Sequence, residues 1–510
     1  MSEAKGKSAV VIGSGFGGLA VAVRLQARGI AVTLFEKNGQ VGGRASQLVR
    51  DGYTFDMGPS LVTAPDILDA VFQAGGKSMR DFVELVPLDP FYRVYFSDGT
   101  FVDYSGDAAR MREELRRFDL ADASAYDRFF RDIRPVYDAV ITERLGTEMF
   151  DTIPSMIRFL PRAIALGSLR SVYGYASRYF SNPKSRFLFS FHPLFIGGSP
   201  FRAPSIYIMI PYLEREGGVW YARGGMYSIV RALERLFVDL GGTVRTDAEV
   251  TEIMIRGGRA FGVRVDGEGH TADIVVSNGD APWVYRNLVA PQYRRRWTDA
   301  RIDRLHIGMS VFILYLGVRK RFEQLRHHTL ILSPRYRELI RDIFDRKILA
   351  DDFSLYLHVP TKTDSSMAPP GCESMYILVP VPNLQGSVDW TEAALPFRDR
   401  LLAFLEGEFG LHGLRSHIDV LEQITPRYFE SRLNSLHGGA FSLEPCLTQT
   451  AWFRPHNRSE DVRNLYLVGA GTHPGGGLPG VLLSAEATEK CILEDLGLSD
   501  KTHRGRRGKP

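Results

Sequence analysis

Apolar residues run unbroken through AVVI (residues 9–12), give way to a glycine-rich turn, and resume in LAVAVRLQARG before a second apolar run, IAVTLFE. Unbroken apolar runs of this length, bounded by turns, predict strands buried on both faces, and the segment between them has helix length and composition. Strand, turn, helix and strand in that order predict a βαβ unit in a parallel sheet. The pattern predicts a second helix over Met226 to Leu240, with apolar residues three and four apart. Short strands with glycine turns between them follow, ending in ADIVVSNGDA (Ala272 to Ala281). SVFILYLGV (Ser310 to Val318) has the length of a strand, far short of the roughly 20 residues that cross a bilayer. Near the end, NLYLVGAG predicts another strand, and a helix is expected to start near Val481. The fold class is α/β.

The first turn, Gly13-Ser14-Gly15-Phe16-Gly17-Gly18, has the spacing GxGxxG between strand and helix, and Glu36 ends the second strand. Each position has a physical task. Gly13 permits the tight turn, Gly15 lets a pyrophosphate approach the backbone, and Gly18 lets helix and strand pack closely. The helix N-terminus offers free N–H groups and a positive dipole to phosphates. The Glu36 carboxylate can accept hydrogen bonds from ribose hydroxyls. Taken together, these features predict a bound dinucleotide. No second βαβ unit carrying a dinucleotide fingerprint is read, so a dedicated nicotinamide site is not expected.

Bulk properties narrow the picture. A chain of 510 residues is expected to form two or three domains or subdomains. A formal net charge of only +4 argues against a nucleic-acid partner. Cys372, Cys446 and Cys491 lie far apart with no CxxC, so neither a disulfide framework nor a metal site is expected, and a reducing compartment is the default. No signal peptide or transmembrane run is recognised at sequence level. His327, His328, His358 and His473 are scattered and read as structural.

Residues 152–213 contain no Asp or Glu but seven basic residues, Arg158, Arg162, Arg170, Arg178, Lys184, Arg186 and Arg202, with apolar and aromatic side chains between them. A piecewise helical, cationic and apolar stretch suits an anionic lipid surface. The same pattern also suits a helical cap over the protein's own core.

From about Val10 to Leu496 the chain resembles the bacterial and fungal type of phytoene desaturase, within the flavin amine oxidase superfamily. The resemblance rests on GGR (Gly42 to Arg44), the stretch around Asp56, Gly58, Pro59 and Ser60, and RSVYGYASRYF, FSFHPLFIGGSPF and GGVWYARGG. It is carried furthest by ADDFSLYLHVPTKTDSSMAPPGCESMYILVPVP, LTQTAWFRPHNR and NLYLVGAGTHPGGGLPGV. It implies FAD as cofactor. The implied contacts are Gly13, Ser14, Gly15, Phe16, Gly17, Gly18, Glu36, Lys37, Gly43 and Arg44 toward the diphosphate and ribose, and Val250 at the adenine end. Gly58, Pro59, Ser60, Gly471, Pro479, Gly480 and Val481 are implied near the flavin ring. Ser155 stands where some relatives carry an acid, which weakens any mechanism needing a carboxylate base there.

The implied reaction is desaturation of 15-cis-phytoene, a hydride passing to flavin N5 and a proton leaving the neighbouring carbon, with neurosporene after three rounds and lycopene after four. No catalytic base is assigned, and His473 is only a candidate. Quinone or oxygen would reoxidise the flavin. The implied place is cytoplasmic, peripheral on the cell membrane. The implied architecture is a discontinuous Rossmann-type FAD-binding domain (residues 1–70, 217–290 and 435–498), a mixed-sheet substrate domain (71–125 and 291–434), a helical membrane-facing lid (126–216) and a basic tail (499–510). A diapophytoene or later-step desaturase, a carotenoid isomerase or terminal oxidase, an amine oxidase and a non-catalytic prenyl-lipid carrier remain open.

Overall fold

The computed structural model describes residues 6–148, 153–167 and 169–498. The basic tail and the side chain of Ser155 lie outside the described residues. Five parallel strands form the first sheet, in the spatial order Leu465–Leu467, Ile274–Ser277, Ser8–Ile12, Ala31–Phe35, Thr243–Arg245. The opening strand is thus central, with the chain leaving to one side and returning much later to the other. That reversal creates a crevice at the carboxyl ends of the strands, where open α/β sheets bind ligands.

The helix Phe16–Ala27 is buried nearly all round, and it packs between the helices Met226–Asp239 and Leu478–Asp495. Its one buried charge, Arg24, is paired with Glu489 at 3.0 Å and Glu486 at 3.7 Å on the last helix. Removing Glu489 leaves the buried Arg24 with only its longer contact to Glu486. Glu489→Ala is therefore expected to lower unfolding stability by about 3 kcal/mol, read from denaturant midpoints.

A seven-stranded mixed sheet forms the second layer, in the order Ile418–Ile424, Ser310–Val318, Glu373–Val381, Leu355–His358, His328–Ile331, Tyr92–Tyr95, Phe101–Tyr104. Ser310–Val318 is buried at every position. Its alternate residues serve two cores. Phe312, Leu314, Leu316 and Val318 pack under the helix Trp390–Glu406, while Val311, Ile313 and Tyr315 face the aromatic core beneath the helical region. A three-stranded antiparallel sheet, Val250–Arg256, Arg259–Val265 and Glu268–Thr271, flanks the first sheet. The described residues between 120 and 217 are mainly helical, including Leu120–Tyr137, Ile153–Ala165 and Met209–Gly217. Among the described residues no helix is long and apolar enough to cross a membrane.

Candidate active site

Two glycine-rich turns meet at the crevice. A Cβ placed on Gly43 would lie 3.5 Å from the Cα of Gly15, so the two backbones face each other with no side chains between. Gly13 has φ +89° and donates its N–H to Phe35 O at 2.8 Å, closing the turn onto the second strand. A Cβ on Gly18 would sit 2.0 Å from Gly13 O, which fixes glycine there for close helix–strand packing. The helix that follows has no side-chain cap and no acid in its first turn. The same is true of Leu478–Asp495, which begins three residues before the expected Val481. Gly477 at φ +84° turns the chain, and Pro479 fits the first helical turn, where its missing N–H costs nothing.

From this cradle one cavity of about 520 Å³ runs into the molecule. Its inner walls are apolar. Val311, Ile313, Leu330, Leu378 and Pro380 come from one face of the seven-stranded sheet, and Phe187, Phe191, Leu194 and Phe195 from the helical region opposite. Alternation along the strands places every second side chain in the wall. Tyr336, Tyr376 and buried Glu214 also line it, as do Tyr356 and Ser60, which are joined by a 2.6 Å hydrogen bond.

The Flavin containing amine oxidoreductase family model matches residues 16–492. The chain is 44% identical to a lycopene-forming phytoene desaturase of Pseudescherichia vulneris, over 96% of this chain and all of that one. It is 41% identical to a neurosporene-forming phytoene desaturase of Rhodobacter capsulatus, over 95% and 93%. The chain belongs to the flavin-containing amine oxidoreductases. Within them it falls among the phytoene desaturases. Solved structures agree at the level of fold. An oxidoreductase from Methanosarcina mazei superposes with a TM-score of 0.65 at 18% identity, covering 96% of this chain and all of that one. Putrescine oxidase bound to putrescine gives 0.64 at 15%, covering 96% and 99%.

For a flavin protein of this family the crevice residues offer a coherent set of donors and spaces. Two uncapped helix N-termini bracket the cavity, and backbone-only turns line its mouth, which suits a diphosphate. Arg44 donates from Nη2 to Ser435 Oγ at 2.6 Å, and its buried Nε has no partner. Burial lowers the Arg44 pKa, and the nearby Asp280 opposes that effect. Glu36 is buried, and both its oxygens are engaged: Oε2 accepts from the backbone and hydroxyl of Ser14, and Oε1 from the backbone and side chain of Asn38. It therefore stiffens the turn as well as facing the cavity. Lys37 reaches Asn434 Oδ1 at 2.8 Å and Ser431 O at 3.0 Å.

Gly13, Ser14, Gly15, Phe16, Gly17, Glu36, Lys37, Gly43, Arg44, Gly58, Pro59, Ser60, Val250, Pro479, Gly480 and Val481 all line this one cavity. Gly18 and Gly471 do not. Gly18 packs behind the turn, and Gly471 sits against Ala281 and Ser442, where a Cβ would come within 2.9 Å of either. His473 is outside the lining too, and burial beside Arg454 and His456 pushes its pKa down to about 3.

Sequence reasoning missed Asn278 and Asp280. Asn278 follows the returning strand, and its side-chain amide would meet a Cβ on Gly15 at 2.8 Å or on Gly17 at 2.5 Å. Asp280 accepts the Leu436 N–H at 2.8 Å and the Ser442 hydroxyl, anchoring the last segment at the crevice. The visible signal was SNGDA at the carboxyl end of a strand beside the topological switch.

Asp56 does not line the cavity but caps the helix Met226–Asp239, accepting N–H groups from Met226 at 2.9 Å and Tyr227 at 3.3 Å. Burial dominates and raises its pKa from 3.8 to about 7. A raised carboxyl favours folding most while protonated in the native state, so that contribution is full below 3.8 and is lost as pH rises to about 7. The loss is on the order of 4 kcal/mol. The difference in stability between the protein and its Asp56→Asn variant, from denaturation midpoints across this range, is expected to shift in the variant's favour with rising pH.

Proposed function

We propose that the protein is an FAD-dependent desaturase that converts 15-cis-phytoene to neurosporene or lycopene. The observation that carries this reading is the single cavity that joins a diphosphate cradle to a long apolar chamber. Phytoene is a hydrocarbon with no polar handle, so shape and apolar burial must do all the positioning. An amine substrate would instead call for polar groups along the chamber, and the inner walls here are predominantly aliphatic and aromatic.

The crevice residues hold and orient the cofactor. Gly15, Phe16, Gly17 and Gly43 leave their N–H groups free for the diphosphate, Arg44 offers its unpaired Nε, and the Leu478–Asp495 helix aims its N-terminus at the ring end. FAD, when bound, supplies a hydride acceptor. The sheet face and the aromatic residues opposite exclude water, so the cation left by hydride loss is not hydrated before a proton leaves. The division of labour follows the sheets: residues 1–70, 217–290 and 435–498 serve the cofactor, 71–125 and 291–434 the substrate, and 126–216 form the lid.

The lid also supports a membrane role. Ile157, Leu160 and Ile164 share one face of Ile153–Ala165 and are 60%, 48% and 52% exposed, and Leu169 just beyond is 65% exposed. An amphipathic helix with its apolar face turned outward fits the interfacial layer of a bilayer. Such docking would place the protein peripherally on the cytoplasmic membrane, where phytoene and a quinone acceptor dissolve; oxygen is the alternative acceptor.

Incubation with phytoene-containing liposomes and FAD, without a nicotinamide, is expected to yield visible-absorbing polyene. Chromatography of the products reads the number of double bonds introduced. A shift of geometry with unchanged conjugation would make the protein an isomerase instead.

A further inference from the structure

Behind the cavity wall, three histidines that are distant or merely adjacent in sequence converge. His328 and His358 are direct partners across two antiparallel strands, and His327 precedes the first of them. All three are buried, with ring centroids 4.5 to 5.2 Å apart.

Their hydrogen bonds form a chain from the cavity to Thr363. Tyr356, 9% exposed and facing the cavity, has its hydroxyl 2.7 Å from His328 Nδ1. At the far end His358 Nε2 lies 3.2 Å from His327 Nε2, and His327 Nδ1 lies 2.6 Å from the hydroxyl of half-buried Thr363. Two nitrogens between these ends, His328 Nε2 and His358 Nδ1, are buried and have no partner. Two opposite sets of tautomers fit these contacts, and the one that passes a proton outward from the cavity, with Ser60 donating to the Tyr356 oxygen, is as follows. Tyr356 donates to His328 Nδ1, which leaves His328 Nε2 a donor. His358 Nδ1 is then an acceptor and its Nε2 donates to His327 Nε2, whose Nδ1–H faces Thr363. The two unpaired atoms are thus a donor and an acceptor on rings 5.2 Å apart, a gap that one water or a small movement closes.

We propose that Tyr356, backed by His328, accepts the proton that the substrate loses, and that His328, His358 and His327 conduct it to Thr363 and solvent. The inference rests on the desaturase reading. The hydride leaves one carbon with its electron pair for the flavin. The adjacent C–H bond then breaks, its electron pair becomes the new C=C bond, and its proton goes to the Tyr356 oxygen. In the same step the Tyr356 O–H proton passes to His328 Nδ1. Burial holds all three imidazoles well below the ordinary histidine pKa, His327 at about 3, so each is neutral at rest and releases an acquired proton readily. The relay would explain how a predominantly apolar chamber disposes of a proton at every round.

The test compares the FAD-loaded protein with Tyr356→Phe and, as a second variant, His328→Gln. Flavin stoichiometry and metal content are measured first. Single-turnover polyene formation from phytoene liposomes is then followed in H2O and D2O. Both variants are expected to bind FAD fully and to form polyene about 10²-fold more slowly. The solvent isotope effect of the parent protein is expected to vanish in Tyr356→Phe, which has no O–H to move. In flavin-free protein, ¹⁵N spectra of labelled histidines are expected to show three imidazoles still neutral below the ordinary histidine pKa.

Unchanged rates with an unchanged isotope effect in both variants would overturn the relay while leaving the desaturase reading intact. So would a stoichiometric transition metal on the three histidines, because it would occupy the lone pairs the relay uses. Failure of the parent protein to form polyene at all would instead overturn the reading on which the relay rests.

Discussion

Gly15→Val is expected to yield a folded protein that no longer retains FAD. Gly15 sits at φ −62° and ψ 172°, a conformation open to any residue, so the substitution strains no backbone. Its side chain would enter the space between the two glycine turns, beginning 2.8 Å from the Asn278 amide and 4.0 Å from Gly42 O. Asn278 can yield, but the bulk then stands where a pyrophosphate must approach. Affinity for FAD should fall at least about 100-fold, close to 3 kcal/mol. Isothermal titration of apoprotein and the visible flavin spectrum after desalting would read this directly. Stoichiometric FAD in the variant would show that the turn is not the diphosphate site. Gly18→Val is a useful contrast, because its first atom meets Gly13 O at 2.0 Å and the damage is to folding.

The double variant Ile157→Asp, Ile164→Asp is expected to keep its fold and its flavin but lose its hold on liposomes. Both side chains face outward, so charges there meet water in the free protein and leave stability nearly unchanged. On a bilayer the same positions would lose the transfer free energy of two large aliphatic groups. Each is worth about 1.5 kcal/mol when partly buried, so membrane partition should drop roughly 100-fold. Turnover of liposome-borne phytoene should fall in parallel, while phytoene in detergent micelles is used at closer to the original rate. Cosedimentation with anionic liposomes measures the first effect. Undiminished cosedimentation would return this helix to the role of an ordinary cap.

What could be read from the sequence was local. The opening strand, turn, helix and strand are set by contiguous patterns and physical constraints at single residues, and the structure has them at Ser8–Ile12, Phe16–Ala27 and Ala31–Phe35. The helix expected over Met226 to Leu240 ends at Asp239. The α/β class and the flavin oxidoreductase family were legible for the same reason, since each motif carries its own geometry. What escaped depends on register between distant strands. His328 and His358 read as scattered because nothing in thirty residues of sequence says that they pair across two strands. The paired placement of Asn278 against Gly15 and Gly17, and of Asp280 against Ser442, likewise arises only when the chain returns to its first sheet. Gly471 shows the opposite failure. It lies within a glycine-rich stretch of which Gly475 to Gly480 line the cavity, yet it faces inward to Ala281 and Ser442, because a motif specifies a turn and not which of its residues faces the ligand.

The desaturase reading requires that electrons leave a hydrocarbon in the apolar chamber for a flavin held at the glycine cradle. Anaerobic mixing of the FAD-loaded protein with phytoene liposomes, free of nicotinamide and quinone, tests it in one experiment. The oxidised-flavin band is expected to bleach as a longer conjugated polyene appears, with one new double bond for each flavin reduced. A flavin that stays oxidised while phytoene is present and accessible, or polyene that forms without flavin reduction, would contradict it.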